Sequence, residues 1–261
     1  MKNNILLIVN AKDDMNDYRK VGINTFLFPL EGYSIGYNAY FNKDEIEEDG
    51  YLLINCLLSC SMVEELRLLL PSIKCKGIVY EDIAVYNLVK ELDLDMELIF
   101  FQNHFATNYS SINYWLNKGV DSLVVSNEIT KDEINDILNN SISPLVVHLL
   151  GYNQAMYSRR TLLSNYQDNF NFDNCREGTL KEVSSRYSFK VLENDLGTVL
   201  YNDSIYYGKD LLDMSNIKYY LVNGTFLSTS EVLDILDNKI ECSDGFLNKE
   251  TIFKLKGGNL W

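Results

Sequence analysis

The 261-residue sequence predicts an α/β fold, a TIM-like (β/α)8 barrel formed by a single domain. Two observations carry this. The length suits one barrel, since such barrels commonly run near ~250 residues. Short β-branched and aromatic runs also alternate with stretches of helical period, the pattern of βαβ units and a parallel sheet, and the count of such runs closes the argument at eight strands.

The strands are expected at Ile5–Val9, Thr25–Phe28, Tyr51–Asn55, Gly77–Tyr80, Glu97–Phe101, Ser122–Val125, Leu145–Leu149 and Tyr219–Val222. Between them, Met62–Leu70 and Ile83–Leu92 place apolar residues at helical spacing. Ser111–Leu116 and Lys131–Leu138 are the next helices, and Thr130 with Glu133 forms a capping box that starts the second. After Gly151 the pattern weakens. A helix is expected over Tyr157–Tyr166, then a polar loop, then a hairpin pairing Tyr187–Leu192 with Thr198–Tyr201. Residues 151–207 thus form an insertion between strands 7 and 8. No repeat or linker divides the chain, so 1–261 is expected to be one domain.

The formal charge of −14 opposes broad nucleic-acid binding, which draws its affinity from Lys and Arg on phosphates. A local exception runs from Gly151 to Lys190, where Arg159, Arg160, Arg176, Lys181, Arg186 and Lys190 stand against four acidic residues. The five cysteines are odd in number, without a C-x-x-C pair, and do not suggest a disulfide framework. The apolar run Ile5–Val9 is too short for a signal peptide and no stretch approaches the ~20 apolar residues of a membrane span. A cytoplasmic location is the resulting expectation.

Barrel enzymes place their sites at the carboxyl ends of the strands. Those ends carry Asn10, Asn55, Glu81, Asn223 and, as the chosen pocket candidates, Asp82, Gln102, Asn103, Asn127, Glu128 and His148. The set is polar and lacks a cationic clamp for phosphate. Some members also suit helix caps, Asp82 and Asn127 above all. Gly32-Tyr33-Ser34-Ile35-Gly36 matches the nucleophile-elbow pattern of serine hydrolases, with His104 or His148 as its base. Gly36 interrupts the helix that such an elbow needs. Neither the histidines nor Cys56-x-x-x-Cys60 shows the spacing of a metal site.

Gly77-Ile78-Val79-Tyr80-Glu81-Asp82, Ala106-Thr107-Asn108, Asn113-Tyr114-Trp115 and Val124-Val125-Ser126-Asn127-Glu128-Ile129 resemble the middle of the U32 family of collagenase-like peptidases. Arg160-Thr161-Leu162-Leu163-Ser164-Asn165-Tyr166 resembles the family signature after the seventh strand, where a Cys-rich motif holds a 4Fe–4S cluster. Two of those cysteine positions are Gln154 and Thr161 here, and a His-Gly before the motif is Leu150-Gly151.

The resemblance implies no cluster in this chain. Many members of the family act in hydroxylation of RNA or quinone precursors, several as paired subunits. It therefore implies an accessory subunit in making 5-hydroxyuridine at the tRNA wobble position. The partner is a cluster-bearing sister protein, contact with tRNA is weak or indirect, and a small-molecule ligand is allowed. A peptidase acting at the barrel mouth stays open as the alternative, as does a serine hydrolase using Ser34. Arg160 matches an Arg of the signature, which implies a structural role as an inward contact, leaving Arg159 exposed for RNA or the partner.

Overall fold

In β1 (Ile5–Ile8) successive side chains alternate between two faces, and both faces are buried. Leu6 and Ile8 join one apolar cluster with Leu27, Leu53, Val79, Ile99, Val124, Val146 and Leu221, whereas Ile5 and Leu7 join another with the helices. A strand apolar on both faces belongs to a parallel sheet covered by helices outside and filled by its own side chains within. The computed structural model describes residues 4–10, 15–102, 104–170, 175–181 and 187–249.

The parallel strands are β1, β2 (Thr25–Pro29), β3 (Tyr51–Ile54), β4 (Gly77–Tyr80), β5 (Glu97–Phe101), β6 (Ser122–Val125), the first part of β7 (Leu145–Ser158) and β11 (Ile217–Asn223). Each pairs with the next in sequence, and β11 pairs with both β7 and β1, so the sheet closes. This is the TIM-like barrel, with extra strands after β7. The eight strand positions expected from sequence are all present, because a strand buried on two faces is an unbroken apolar run.

The helices are α1 (Met15–Lys20), α2 (Cys60–Leu69), α3 (Ile83–Glu91), α4 (Tyr109–Asn117), α5 (Lys131–Asn140), α6 (Leu162–Phe170) and α7 (Thr229–Leu236). Ser59, Asp82, Asn108, Thr130 and Ser228 cap α2, α3, α4, α5 and α7 with their side chains. The Thr130–Glu133 capping box is formed. Among the described residues no helix is long and apolar enough to cross a membrane.

The amino end of the barrel is closed by a half-buried polar network. The Tyr51 hydroxyl bonds the Glu97 carboxylate and lies 3.2 Å from the Tyr219 hydroxyl, while Lys218 and Lys76 each donate at 2.8 Å, to Glu97 and Tyr219. Gly77 makes room for it, since a Cβ there would lie 2.4 Å from the Glu97 carbonyl and 2.9 Å from the Tyr51 ring.

Residues 151–207 differ from expectation in two respects, the start of the helix and an added strand. The segment from Tyr157 does not begin a helix; β7 runs on to Ser158, far past the barrel rim, and the helix starts at Leu162. The extension is antiparallel to β10 (Gly197–Tyr207), which pairs with β9 (Ser188–Asn194), which pairs with β8 (Glu177–Lys181). Together these strands form a flap above the mouth. Gly151 lets β7 leave the barrel: its φ is +138°, and a Cβ there would lie 2.6 Å from the Asn223 carbonyl. The hairpin was expected; β8, exposed along most of its length and largely polar, was not, and neither were α1 and α7.

Candidate functional site at the barrel mouth

The alternation that builds the barrel also builds its mouth. Two residues beyond Leu53, Val79, Val146 and Leu221, which face the interior, come Asn55, Glu81, His148 and Asn223. The interior is therefore apolar in its middle and polar at its carboxyl rim. Asn55 spends both ends of its amide on Ile35, accepting from its N–H at 2.9 Å and donating to its carbonyl at 3.1 Å. This pins the loop after β2 across the rim.

Glu81 and His148 are the unusual members. Each is half-buried as a residue, yet Glu81 Oε1 and His148 Nε2 are sealed from solvent without a hydrogen-bond partner. Burial pushes the Glu81 carboxyl up to about 8, against the opposing hydrogen bond from Asn55. Burial likewise pushes His148 down to about 4. Loss of hydration disfavours the charged form in both cases. At neutral pH the acid is protonated and the imidazole uncharged.

The flap closes over this layer. Tyr201 Oη donates to the Gly36 carbonyl at 2.5 Å, Asn194 donates to the Ser34 carbonyl at 3.0 Å, and the Leu57 N–H donates to Tyr157 Oη at 3.4 Å. Asn127, beyond β6, donates to Asn153 Oδ1 on the β7 extension at 2.6 Å. Between flap and rim lies a cavity of about 30 Å³ bounded by Tyr37, Phe101, Asn127, His148, Gln154 and Tyr201 among others. That volume holds one or two waters. Among the described residues, no Asp, Glu, Lys or Arg lines it. Aromatic faces, amide edges and the aliphatic Ile8, Leu150 and Leu221 make up its walls, and the Phe101 ring centre lies 5.5 Å from that of His148.

Of the residues chosen from sequence, Asn127 and His148 meet in this cavity. Asp82 does not reach it: its carboxylate accepts from Ala84 N at 2.9 Å and Leu58 N at 3.2 Å, capping α3 and tethering the start of α2. Glu128 is exposed and lies 3.1 Å from His104 Nδ1. Gln102 follows the interior Phe101 and so falls on the outward parity, away from the cavity lining. Asn103 lies outside the described residues. Ser34 is fully buried and donates to the Leu53 carbonyl at 2.6 Å. With its hydroxyl so engaged and no helix following it, Ser34 does not form a nucleophile elbow.

Arg159 and Arg160 lie in the bend between β7 and α6, and both are exposed. The inward role expected of Arg160 belongs to its main chain: its carbonyl accepts from the Thr198 hydroxyl at 2.8 Å, and among the described residues its guanidinium has no ion-pair partner. The helix start is fixed instead by Glu193, buried on β9, whose carboxylate accepts from Leu163 N at 2.7 Å, from Ser164 N at 3.0 Å and from the Ser164 hydroxyl.

Tyr37, Tyr201, Asn153 and Gln154 line the cavity, and Glu81 stands in the rim layer beside it; none of the five is among the pocket residues chosen from sequence. Glu81 was within reach by counting in twos from Val79. The others arrive through the flap, whose course over the mouth no local pattern announces.

Residues 39–235 match the model of Peptidase family U32. The chain belongs to that family. The tRNA hydroxylation protein P2 of Bacillus subtilis (strain 168) is 24% identical over 178 residues, a match that takes in 63% of this chain and 58% of that protein. A chitinase from Chromobacterium violaceum ATCC 12472 superposes with a TM-score of 0.43 at 9% identity, covering 91% of this chain and 99% of that one. At that score the likeness carries no argument.

The cluster ligands of the U32 signature do not fit the residues of this member. Position 154 supplies an amide to the cavity wall and position 161 a hydroxyl just before α6, where a cluster requires thiolates. The cysteines are dispersed: Cys56 is buried and its thiol pushed up to about 12, while Cys60 and Cys175 are exposed. Among the described residues no three His, Cys, Asp or Glu side chains are grouped to hold a metal ion.

Proposed function

We propose that this U32 chain is a non-cluster subunit that supports hydroxylation of the tRNA wobble uridine beside a cluster-bearing sister protein. The observation that carries this reading is the uncharged mouth: a cavity of amides and aromatic rings with a neutral His148 at its base. In a volume of one or two waters such walls seat a small group or the edge of a larger ligand and orient it. They supply no nucleophile, metal set or pair of ionised carboxylates for peptide hydrolysis. The name of the B. subtilis relative supports the choice of tRNA hydroxylation. Within this reading, His148 Nε2 accepts a hydrogen bond from the ligand, and Asn127 and Gln154 set its orientation. The acidic balance of the chain suits a subunit that leaves most phosphate contacts to its partner.

The test is deletion of the gene, followed by nucleoside analysis of total tRNA. Loss of 5-hydroxyuridine, restored by the wild-type chain and copurifying with a second U32 protein, is the expected result. Unchanged 5-hydroxyuridine, or recovery of the chain as a lone monomer at every salt concentration, rejects it. Cleavage of gelatin or casein by the purified chain would move the assignment to the peptidase alternative. Anaerobically purified chain is expected to be colourless and to contain no stoichiometric iron, because Gln154 and Thr161 offer no thiolate.

A further inference from the structure

The flap has a second hollow, of about 530 Å³, between β9, the irregular part of β10 and residues 243–249. Its rings are Tyr187, Phe189, Tyr206 and Phe246, its amides Asn153 and Asn202, and its cation Lys249. Tyr187 is 71% exposed and Phe246 43% exposed. Asn153 belongs to this cleft and to the inner cavity alike, and its Oδ1 holds Asn127. The cleft and the inner cavity thus share a wall, formed by Asn153 and Tyr206.

Apolar ring faces beside amides that both donate and accept match one kind of ligand: a flat heterocycle with apolar faces and a hydrogen-bonding edge. Unstacked bases of single-stranded RNA are recognised this way. The cleft is poor in charge. Lys249 sits 5.1 Å above the Phe246 ring, and Asp203, which accepts from Ser188, balances it. An extended peptide is less well served, because β9 is already paired on both sides by β8 and β10.

We infer that this cleft takes a single unstacked nucleoside of an RNA loop, its base against Phe246 and Tyr187 and its edge toward Asn153 and Asn202. That the ligand is a nucleobase rests on the walls; that the base is uracil rests on the proposed function. Phosphate contacts fall to another protein.

The experiment is saturation-transfer NMR on the full chain with uridine and with a five-nucleotide uridine-containing RNA. Phe246→Ala, Tyr187→Ala and Asn153→Ala are compared with Phe105→Ala, which removes an equally exposed ring elsewhere (73% exposed). Uridine is expected to bind, about tenfold more weakly after either cleft-ring substitution, unchanged by Phe105→Ala, and nearly independent of salt between about 50 and 200 mM. No transfer at millimolar uridine overturns the inference. Equal weakening by Phe105→Ala, collapse of binding with salt, or displacement by a short unstructured peptide does so too. If deletion abolishes 5-hydroxyuridine while uridine fails to bind, the cleft is wrong and the proposed function stands. If uridine binds while 5-hydroxyuridine is normal, the reverse holds.

Discussion

Glu81 and Asp82 are chain neighbours that serve opposite sides of the barrel wall. Asp82 turns outward and caps α3 through Ala84 N, while Glu81 continues the inward row of Val79 and ends with Oε1 sealed and unpartnered. The same carboxyl chemistry thus serves as a helix cap at one position and as a sealed acid with a raised pKa at the one before it.

Glu81 should make the protein less stable as pH rises. Its folded pKa of about 8 lies above the ordinary value of 4.5. The folded state therefore holds a proton that the unfolded chain releases, and stability falls from pH 4.5 to about 8. Glu81→Gln keeps the shape without the titration. Urea unfolding at pH 5 and pH 8 should show the variant gaining on the wild type at the higher pH, by an amount on the order of a few kcal/mol. Parallel pH dependence in the two proteins would refute a sealed Glu81.

His148 shifts the other way. Its folded pKa of about 4 lies below the usual 6.5, so the stability it contributes is complete above pH 6.5 and is lost as pH falls toward 4. Imidazole resonances followed by NMR should stay those of the neutral ring down to about pH 5. A midpoint near 6.5 would mean that water reaches Nε2.

How much of this was legible follows from where each signal resides. Strand runs such as Gly77–Tyr80 announce themselves because both faces are buried. Which rim residue faces inward is also written in the sequence, as parity: Val79 to Glu81 and Val146 to His148 are steps of two. Ranking polar residues by their position after a strand favoured Asp82 and Gln102 over Glu81, since that criterion ignores parity. The course of Tyr201 to Gly36 and of Glu193 to Ser164 spans 165 and 29 residues, and no local pattern encodes contacts of that range. The helix expected over Tyr157–Tyr166 is present from Leu162, but its first two residues are strand for the same reason, their partner β10 lying some forty positions on.

Glu193 should carry the flap. Burial alone would raise its pKa, but donors from Ser164, Thr198 and the Leu163 and Ser164 N–H groups outweigh burial and hold it below the usual carboxylate value. Its contribution is present above the unfolded pKa and lost as pH falls through the depressed one. Glu193→Ala leaves the Ser164 hydroxyl and the Leu163 and Ser164 N–H groups unpaired, Thr198 keeping the Arg160 carbonyl, and should cost about 1–3 kcal/mol. Hydrogen exchange of the Leu163 and Ser164 amides should accelerate first, with the barrel strands little changed. Uniform acceleration across the barrel would show that flap and barrel unfold as one unit.

The last prediction concerns Arg159 and Arg160. Had the segment been helical, consecutive residues about 100° apart would have divided the work between them, one inward and one outward. In the bend between β7 and α6 both guanidinium groups face solvent, and only the Arg160 carbonyl is held, by Thr198. Neither Arg159→Ala nor Arg160→Ala should move stability by more than about 0.5 kcal/mol. Thr198→Val, which removes the hydroxyl that joins Arg160, Glu193 and the Leu162 N–H, should cost more than either. Association with RNA or with the proposed sister subunit is the property that the arginines should change, each in a salt-dependent way. Thermal unfolding and binding at two salt concentrations separate the cases, and a lowered melting temperature for Arg160→Ala alone would return that side chain to the inward role.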